Sequence, residues 1–485
     1  MHTPYFPTLR SRLAPLGRRT LHTLRHVSLP QLEACLGTYL PVHLLSAEDE
    51  GANSRERIYS LRLTFQCFLW QLLKPETACR EVVRQVQALF RLKGWGQVKD
   101  GASAYCQARL RLPPERLEKA LAELARQADR RAGPGGWLQG RPVKVVDGTT
   151  VLLADTPKNQ KRYPQRPEQK PGCGFPLLKL VALFSLSSGA ILTVVRDTYR
   201  NHDLRLFRRI WETLKRGDVI LGDRAFGNYA TLADLPWRGI DVVARLNTWR
   251  KVDFRKAQRL GCNDGLFVWT KLKICPPYLT WAHWARTPAV ITVRIVRFRV
   301  ATKGYRTRLI LLVTTLLDPK LYPLEELAAL YARRWRLELC FRDLKTQMGM
   351  EQLRCQTPAM VEKEALAYLV AHNLVRCVIA EAIARYRVEL DRVSFKGTVD
   401  ALRQYSQTMV QARSRQKQQE LWDDLLSNLA RDLVPLRPRR REPRAVKHRP
   451  KPFPLLTRPR HLFKDRIPYK KWRRLNPTSN YRGLI

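Results

Sequence analysis

Three periodicities divide this chain. From about Ser28 to Asp129 apolar residues recur at intervals of three and four, in stretches such as RIYSLRLTFQCFLWQLL and PPERLEKALAELARQ. That spacing predicts a run of amphipathic helices, with starts marked at Ser103 and Pro113-Pro114. A Gly/Pro-rich connector, RAGPGGWLQGRP from Arg131 to Pro142, ends the run. Next comes a short apolar strand ending at Asp147, then a polar loop from Asp155 to Gly174. A hairpin from Leu177 to Arg196 follows, turning at Ser187-Ser188-Gly189. A helix from about Leu204 to Lys215, a strand ending at Asp223, the helical AFGNYATLADL and the strand IDVVARL complete this region. Hairpin strands followed by alternating helices and strands predict a mixed sheet with helices on its faces.

Between Asn247 and Pro319 the period falls to two, in FVWTKLKI, AVITVRIVRFRV and TRLILLVTTLL. Alternation in ITVRIVRFRV reads as one buried face, with Arg294, Arg297 and Arg299 turned outward. The helical period returns in LYARRWRLELCFRDLKTQM. At about 100° per residue, Arg334, Glu338 and Lys345 fall at about −60°, −20° and −40° from Tyr331, so the four share one stripe. Leu337, Phe341, Leu344 and Met348 form an adjoining apolar stripe that anchors the helix. The apolar AMVEKEALAYLVAHNLVRCVIAEAIARY then packs against the core.

Charge sharpens this picture. The 485 residues carry 88 Lys+Arg against 42 Asp+Glu, a formal charge of +46, which calls for a polyanionic partner, nucleic acid above all. The outward arginines of the β region then read as a surface along a DNA backbone. The helix beginning at Ser103, with Tyr105, Gln107, Arg109 and Arg111, is a second candidate for a groove, although packing explains it as well. From Leu433 to Ile485 there are seventeen Lys/Arg, two acids and nine prolines, an extended basic arm with Phe463, Tyr469 and Trp472 for stacking.

Other classes recede. The N-terminal stretch has no continuous apolar segment, and the longest uncharged apolar run, Leu180 to Val195, is broken by its turn, so neither a secretory signal nor a membrane span is expected. Ten scattered cysteines without a CxxC, beside nine histidines, indicate neither a zinc site nor a disulfide framework. No GxxxxGK loop is present, so no nucleotide cofactor is expected.

The chemistry lies in carboxylates. Asp147, Asp223 and Glu338, remote in sequence, are what a site needs to hold two Mg²⁺ ions over a phosphodiester, with Mn²⁺ as a substitute. Arg334 and Lys345 would contact phosphates beside them, and Tyr331 would position one by its hydroxyl. Taken singly, each has a plainer reading: an Asp opening a turn after a strand, or a Glu paired with Arg334 and Arg342 on a helix surface. Their conjunction is what singles them out.

These residues resemble the DDE transposases of bacterial insertion sequences, in the branch with a Tyr-x2-Arg-x3-Glu-x6-Lys helix, here Tyr331, Arg334, Glu338 and Lys345. The resemblance extends to VVDGTTVLLADTPKNQKRYPQ and VILGDRAFGNYATL and spans roughly Ser54 to Tyr386. It implies an α/β fold: a ribonuclease H-like mixed sheet with flanking helices, interrupted by a β-rich insertion, plus an N-terminal helical domain and a basic C-terminal arm. The expected division is a DNA-end-binding domain over 1–130, a linker over 131–142, a core over 143–246 and 320–390, the insertion over 247–319, a helical region over 391–432 and the arm over 433–485. It further implies metal-dependent cleavage at terminal inverted repeats and strand transfer into target DNA by a synaptic homodimer, in the bacterial cytoplasm at the nucleoid. Some members form a hairpinned end with a tryptophan of the insertion on a flipped base; here Ile310 stands about where that aromatic would lie, leaving Trp269, Trp281 and Trp284 as substitutes. The alternatives are a structure-selective nuclease or resolvase of the same fold, and an inactive domesticated DNA-binding protein.

Overall fold

The computed structural model describes residues 28–40, 42–45, 58–74, 76–95, 97–299, 309–435, 456–459 and 462; within these, residues 335–338 are described by their backbone alone. The expected basic arm, with Phe463, Tyr469 and Trp472, falls almost wholly outside the described residues.

The N-terminal periodicity folds as expected into α1 (Pro30–Leu36), α2 (Leu61–Leu73), α3 (Cys79–Lys93), α4 (Ser103–Arg111) and α5 (Pro114–Ala132). The Ser60 hydroxyl accepts the Leu63 N–H to open α2, and Gly94, at φ +66°, closes α3 in a left-handed turn that a side chain would strain. Leu117, Ala120, Leu121, Leu124, Ala125 and Ala128 form the buried stripe of α5, which packs against the long helix Pro358–Tyr386. On α4 packing claims two of the four groove candidates, Tyr105 and Arg109, whereas Gln107 and Arg111 are exposed. Tyr105 is fully buried and donates to Gln71 Oε1 at 3.0 Å, and the Arg109 guanidinium lies 5.1 and 5.0 Å from the Phe68 and Tyr105 ring centres.

The sheet has nine strands: β1 (Val143–Leu152), β2 (Leu177–Ser185), β3 (Ile191–Thr198), β4 (Val219–Gly222), β5 (Asp241–Arg245), β6 (Gln258–Gly261), β7 (Asp264–Thr270), β8 (Val290–Arg299) and β9 (Leu309–Thr314). Their order is β3-β2-β1-β4-β5-β9-β8-β7-β6. β1, β4 and β5 run parallel and the remaining pairs antiparallel, so the mixed α/β sheet is present as expected. The β-rich residues join it edge to edge through the β5–β9 pair.

β1 corrects one expectation, since it does not end at Asp147 but runs on to Leu152. Its two neighbours differ in length. The parallel partner β4 stops at Gly222, whereas β2 keeps pairing, Asp147 with Ala182 and Leu152 with Leu177. Asp147 therefore sits where one edge of a continuing strand is released. Three elements escaped the pattern, the four-residue β6 and the six-residue helices Trp281–Arg286 and Pro157–Arg162, the last within the expected polar loop, all too short to display a period.

Arg294 is a second correction: it is fully buried. Period two puts it on the opposite face from Arg297 and Arg299, because Ile295 and Val296 shift the phase of the alternation. Its guanidinium pairs with both oxygens of Asp264 and donates to the Tyr322, Asp318 and Leu316 carbonyls at 2.7, 3.3 and 3.4 Å. It ties the β-rich segment to the approach of the next helix. Arg297 is half-buried over the Phe254 ring and Arg299 is exposed.

Further helices cover the sheet: α6 (Pro157–Arg162), α7 (Asp203–Ile210), α8 (Tyr229–Trp237), α9 (Trp281–Arg286), α10 (Leu324–Arg342), α11 (Pro358–Tyr386), α12 (Phe395–Gln411) and α13 (Arg415–Arg431). One face, with Val145, Leu180, Leu221 and Val243, is buried under α10, α11 and the N-terminal helices; the other, with Val146, Val181, Ile220 and Val242, lies under α7, α8 and α9. Among the described residues α11 alone is long and apolar enough to cross a membrane, but 89% of its most apolar window is buried inside the protein, which makes it a core helix.

Candidate active site

In the parallel β1–β4 pair Val145 stands opposite Leu221. Asp147 lies two residues further along β1, and Asp223 follows the last residue of β4, so both stand at the same end of these neighbouring strands. Alternation sends the Asp147 side chain to the face that Val145 buries, the face on which α10 lies across β1, β4 and β5, and the Asp223 carboxylate acts on the Tyr331 hydroxyl of that helix. Local hydrogen bonds orient the carboxylates: Asp147 Oδ1 accepts the Gly148 N–H and Asp223 Oδ1 the Ala225 N–H, both at 2.8 Å. The turn after β4 requires Gly222, where a Cβ would lie 2.7 Å from the Phe226 Cβ.

The signature helix brings Tyr331 and Arg334 to this face. Tyr331 is 2% and Arg334 7% exposed, with the guanidinium 5.5 Å from the ring centre. Burial pushes the Tyr331 hydroxyl up, Arg334 (which also donates a hydrogen bond to it) and Arg245 draw it down, and Asp223 pushes it up again. Tyr331, Arg334, Arg245 and Asp223 thus share one neighbourhood. Glu338 has its backbone in α10, but its side chain lies outside the described residues.

Two arginines of this site were missed. Arg245 ends β5 with the parity of Val243, which faces the same side. Its guanidinium is held below the usual range by burial first, then by Arg224, with Tyr331 opposing and Arg334 adding to the drop. The Arg224 Nε is buried with no hydrogen-bond partner among the described residues. Three guanidiniums gathered beside one aspartate make a half-enclosed site suited to an oxyanion. Both signals were visible in sequence, a cation directly after Asp223 and another ending an apolar strand, but neither marks a site until the strands are ordered.

Lys345 is placed differently from the helical wheel. From Asp343 to Gln347 the helix winds as a π-turn, with the Met348 N–H reaching the Asp343 carbonyl at 2.9 Å. Each residue then turns through less than 100°, which displaces Lys345 from the angle a regular helix would give it. Beyond the turn the chain is zipped to the end of β1: the Leu152 N–H donates to the Glu351 carbonyl at 2.9 Å and the Leu353 N–H to the Leu152 carbonyl at 2.8 Å. Lys345 is half-buried there, its ammonium held below the usual range by burial, with Glu351 opposing. Arg297 and Arg299 lie four strands away in the sheet order, and Arg294 is enclosed. Ile310 is 2% exposed; Trp269 and Trp284 are packed, whereas Trp281 is 68% exposed.

Carboxylates at the same end of two neighbouring strands fit a divalent cation with oxygen ligands, and the arginines beside Asp223 fit the phosphate such an ion would meet. Among the described residues no three His, Cys, Asp or Glu side chains converge as a metal site, the third expected carboxylate, Glu338, being outside them.

Residues 138–374 match the family model described as "Transposase DDE domain". The chain is similar to the transposase InsG for insertion sequence element IS4 of Escherichia coli (strain K12), 26% identical over 438 residues that cover 89% of this chain and 95% of that protein. It is also similar to piggyBac transposase in a synaptic complex with hairpin DNA, at 9% identity and a TM-score of 0.39 over 83% of this chain and 86% of that one, a distance at which the likeness bears on nothing above.

Proposed function

Because the chain is a DDE transposase of insertion sequences, we propose that it moves DNA by cutting at the terminal inverted repeats of its element and joining the freed 3′ ends to target DNA. It is a DNA-cleaving and strand-transferring enzyme that uses divalent metal. Asp147, Asp223 and Glu338 are the carboxylates that hold the ions, two Mg²⁺ with Mn²⁺ as a substitute. A pair of ions bound there would supply an activated attacking oxygen and a neutralised leaving oxygen. The chain's own groups do the rest. Arg224, Arg245 and Arg334 grip the phosphate beside Asp223, Tyr331 orients it through its hydroxyl, and Lys345 holds the backbone near the far end of β1. Arg297 and Arg299 contact the duplex further along the sheet. Two copies pair in the synaptic complex, in the cytoplasm at the nucleoid.

The observation that supports this reading is that Asp147 on β1 and Asp223 just past the end of the neighbouring strand β4 lie on the two strands that the signature helix crosses. The test uses terminal-repeat oligonucleotides labelled at the 3′ end, a supercoiled target and Mg²⁺. Labelled strands joined to the target support a transposase; cleavage without joining indicates a nuclease or resolvase, and binding without either indicates a domesticated DNA-binding protein.

A further inference from the structure

Arg376 is a charge in an unexpected place, 6% exposed in the core helix α11. Its Nη2 donates to Asp343 Oδ2 at 3.0 Å and reaches Cys340 Sγ at 3.3 Å. Its Nε donates to His372 Nε2 at 3.4 Å, and its guanidinium lies 5.1 Å from the Phe395 ring centre. The β2–β3 turn closes over it at Gly189, φ +70°, where a Cβ would lie 3.2 Å from the guanidinium carbon. Four elements therefore meet on one side chain.

What that side chain holds is the back of the signature helix. On the wheel that puts Arg334 and Glu338 at about −60° and −20°, Cys340 and Asp343 fall at about 180° and 120°. They are the positions turned away from the aspartates, and Asp343 is also where the π-turn begins. Burying an ion pair is expensive, and apolar residues of the same volume often hold helices together as well or better. A guanidinium whose Nε is held by His372 of its own helix, and whose Nη2 engages two positions of α10 one turn apart, does something they do not: it defines the rotation of that helix about its own axis.

We propose that Arg376 is a positioning residue of the catalytic centre, which by gripping Cys340 and Asp343 together sets the rotation of the signature helix and so aims Glu338 at the Asp147–Asp223 pair. This rests on the reading above that Glu338 is the third carboxylate. Arg376 touches neither DNA nor metal; it acts through the helix. Lysine keeps the charge but has a single nitrogen, and loses the Nε contact to His372 that fixes how the head meets Cys340 and Asp343.

The test compares full-length wild type, Arg376→Lys and Asp343→Asn, with Asp223→Ala as the inactive control. In both variants amide hydrogen exchange in peptides covering residues 331–348 speeds up by about tenfold, while peptides of β1 and β4 are unchanged. Terminal-repeat binding stays within about twofold, kcat for cleavage falls by about tenfold and the Mg²⁺ concentration for half-maximal cleavage rises by about fivefold. Unchanged exchange across 331–348, or faster exchange spread evenly over the molecule, overturns the proposal, as does a Mg²⁺ requirement within twofold of wild type. Should wild type fail to cleave while exchange responds locally as stated, the reading of the activity fails and the clamp stands.

Discussion

Asp147 lies on β1 two residues past the Val145–Leu221 pair, and Asp223 immediately follows the end of the neighbouring parallel strand β4. A slip of one residue in either strand would throw one carboxylate to the opposite face of the sheet, so register is part of the chemistry. Replacing either by Asn keeps shape and removes a charged ligand. Cleavage of terminal-repeat DNA should fall by at least about a thousandfold, with binding in gel-shift titrations changed by no more than about twofold. Retained cleavage would remove that residue from the site.

Arg224 and Arg245 should act as phosphate contacts. Replacing either by Ala should reduce the slope of log K against log salt by about one for end binding, without shifting the thermal midpoint of the free protein. An unchanged slope means that the guanidinium meets no phosphate.

Arg294 should behave in the opposite way. Arg294→Met leaves Asp264 buried without its partner and three carbonyls without a donor, and should cost about 3–5 kcal/mol in urea unfolding. Its salt slope should match wild type. Arg299→Ala, at an exposed strand end, should leave stability unchanged and make the slope shallower.

His372 gives the molecule an acid limit. It is fully buried, and burial together with Arg376 holds its pKa well below the usual 6.5, Asn373 opposing. The folded protein keeps it neutral while the unfolded chain takes a proton below about pH 6.5. Stability is therefore lost as pH falls through 6.5, by up to about 1.4 kcal/mol per pH unit for this group. Urea unfolding between pH 5 and 8 should show that slope, and His372→Gln should flatten it; equal slopes would mean that His372 is protonated in the fold.

The sequence by itself determined the elements and the chemistry they could carry. Helices over the first 130 residues, the hairpin turning at Gly189 and the stripe of Tyr331 and Arg334 follow from spacing, because burial on one face imposes a period on a helix or strand wherever it lies. Tertiary structure alone decided which elements became neighbours. Strand order set Asp147 beside Asp223, added Arg224 and Arg245, and let β1 outlast β4. Local rules also failed where a distant partner overruled them: Asp264 drew Arg294 inward, and the π-turn at Asp343, beside Arg376, displaced Lys345 from its regular helical angle. A period records which side of an element is buried; it does not record what buries it, and a site made of groups far apart in the chain exists only once that is settled.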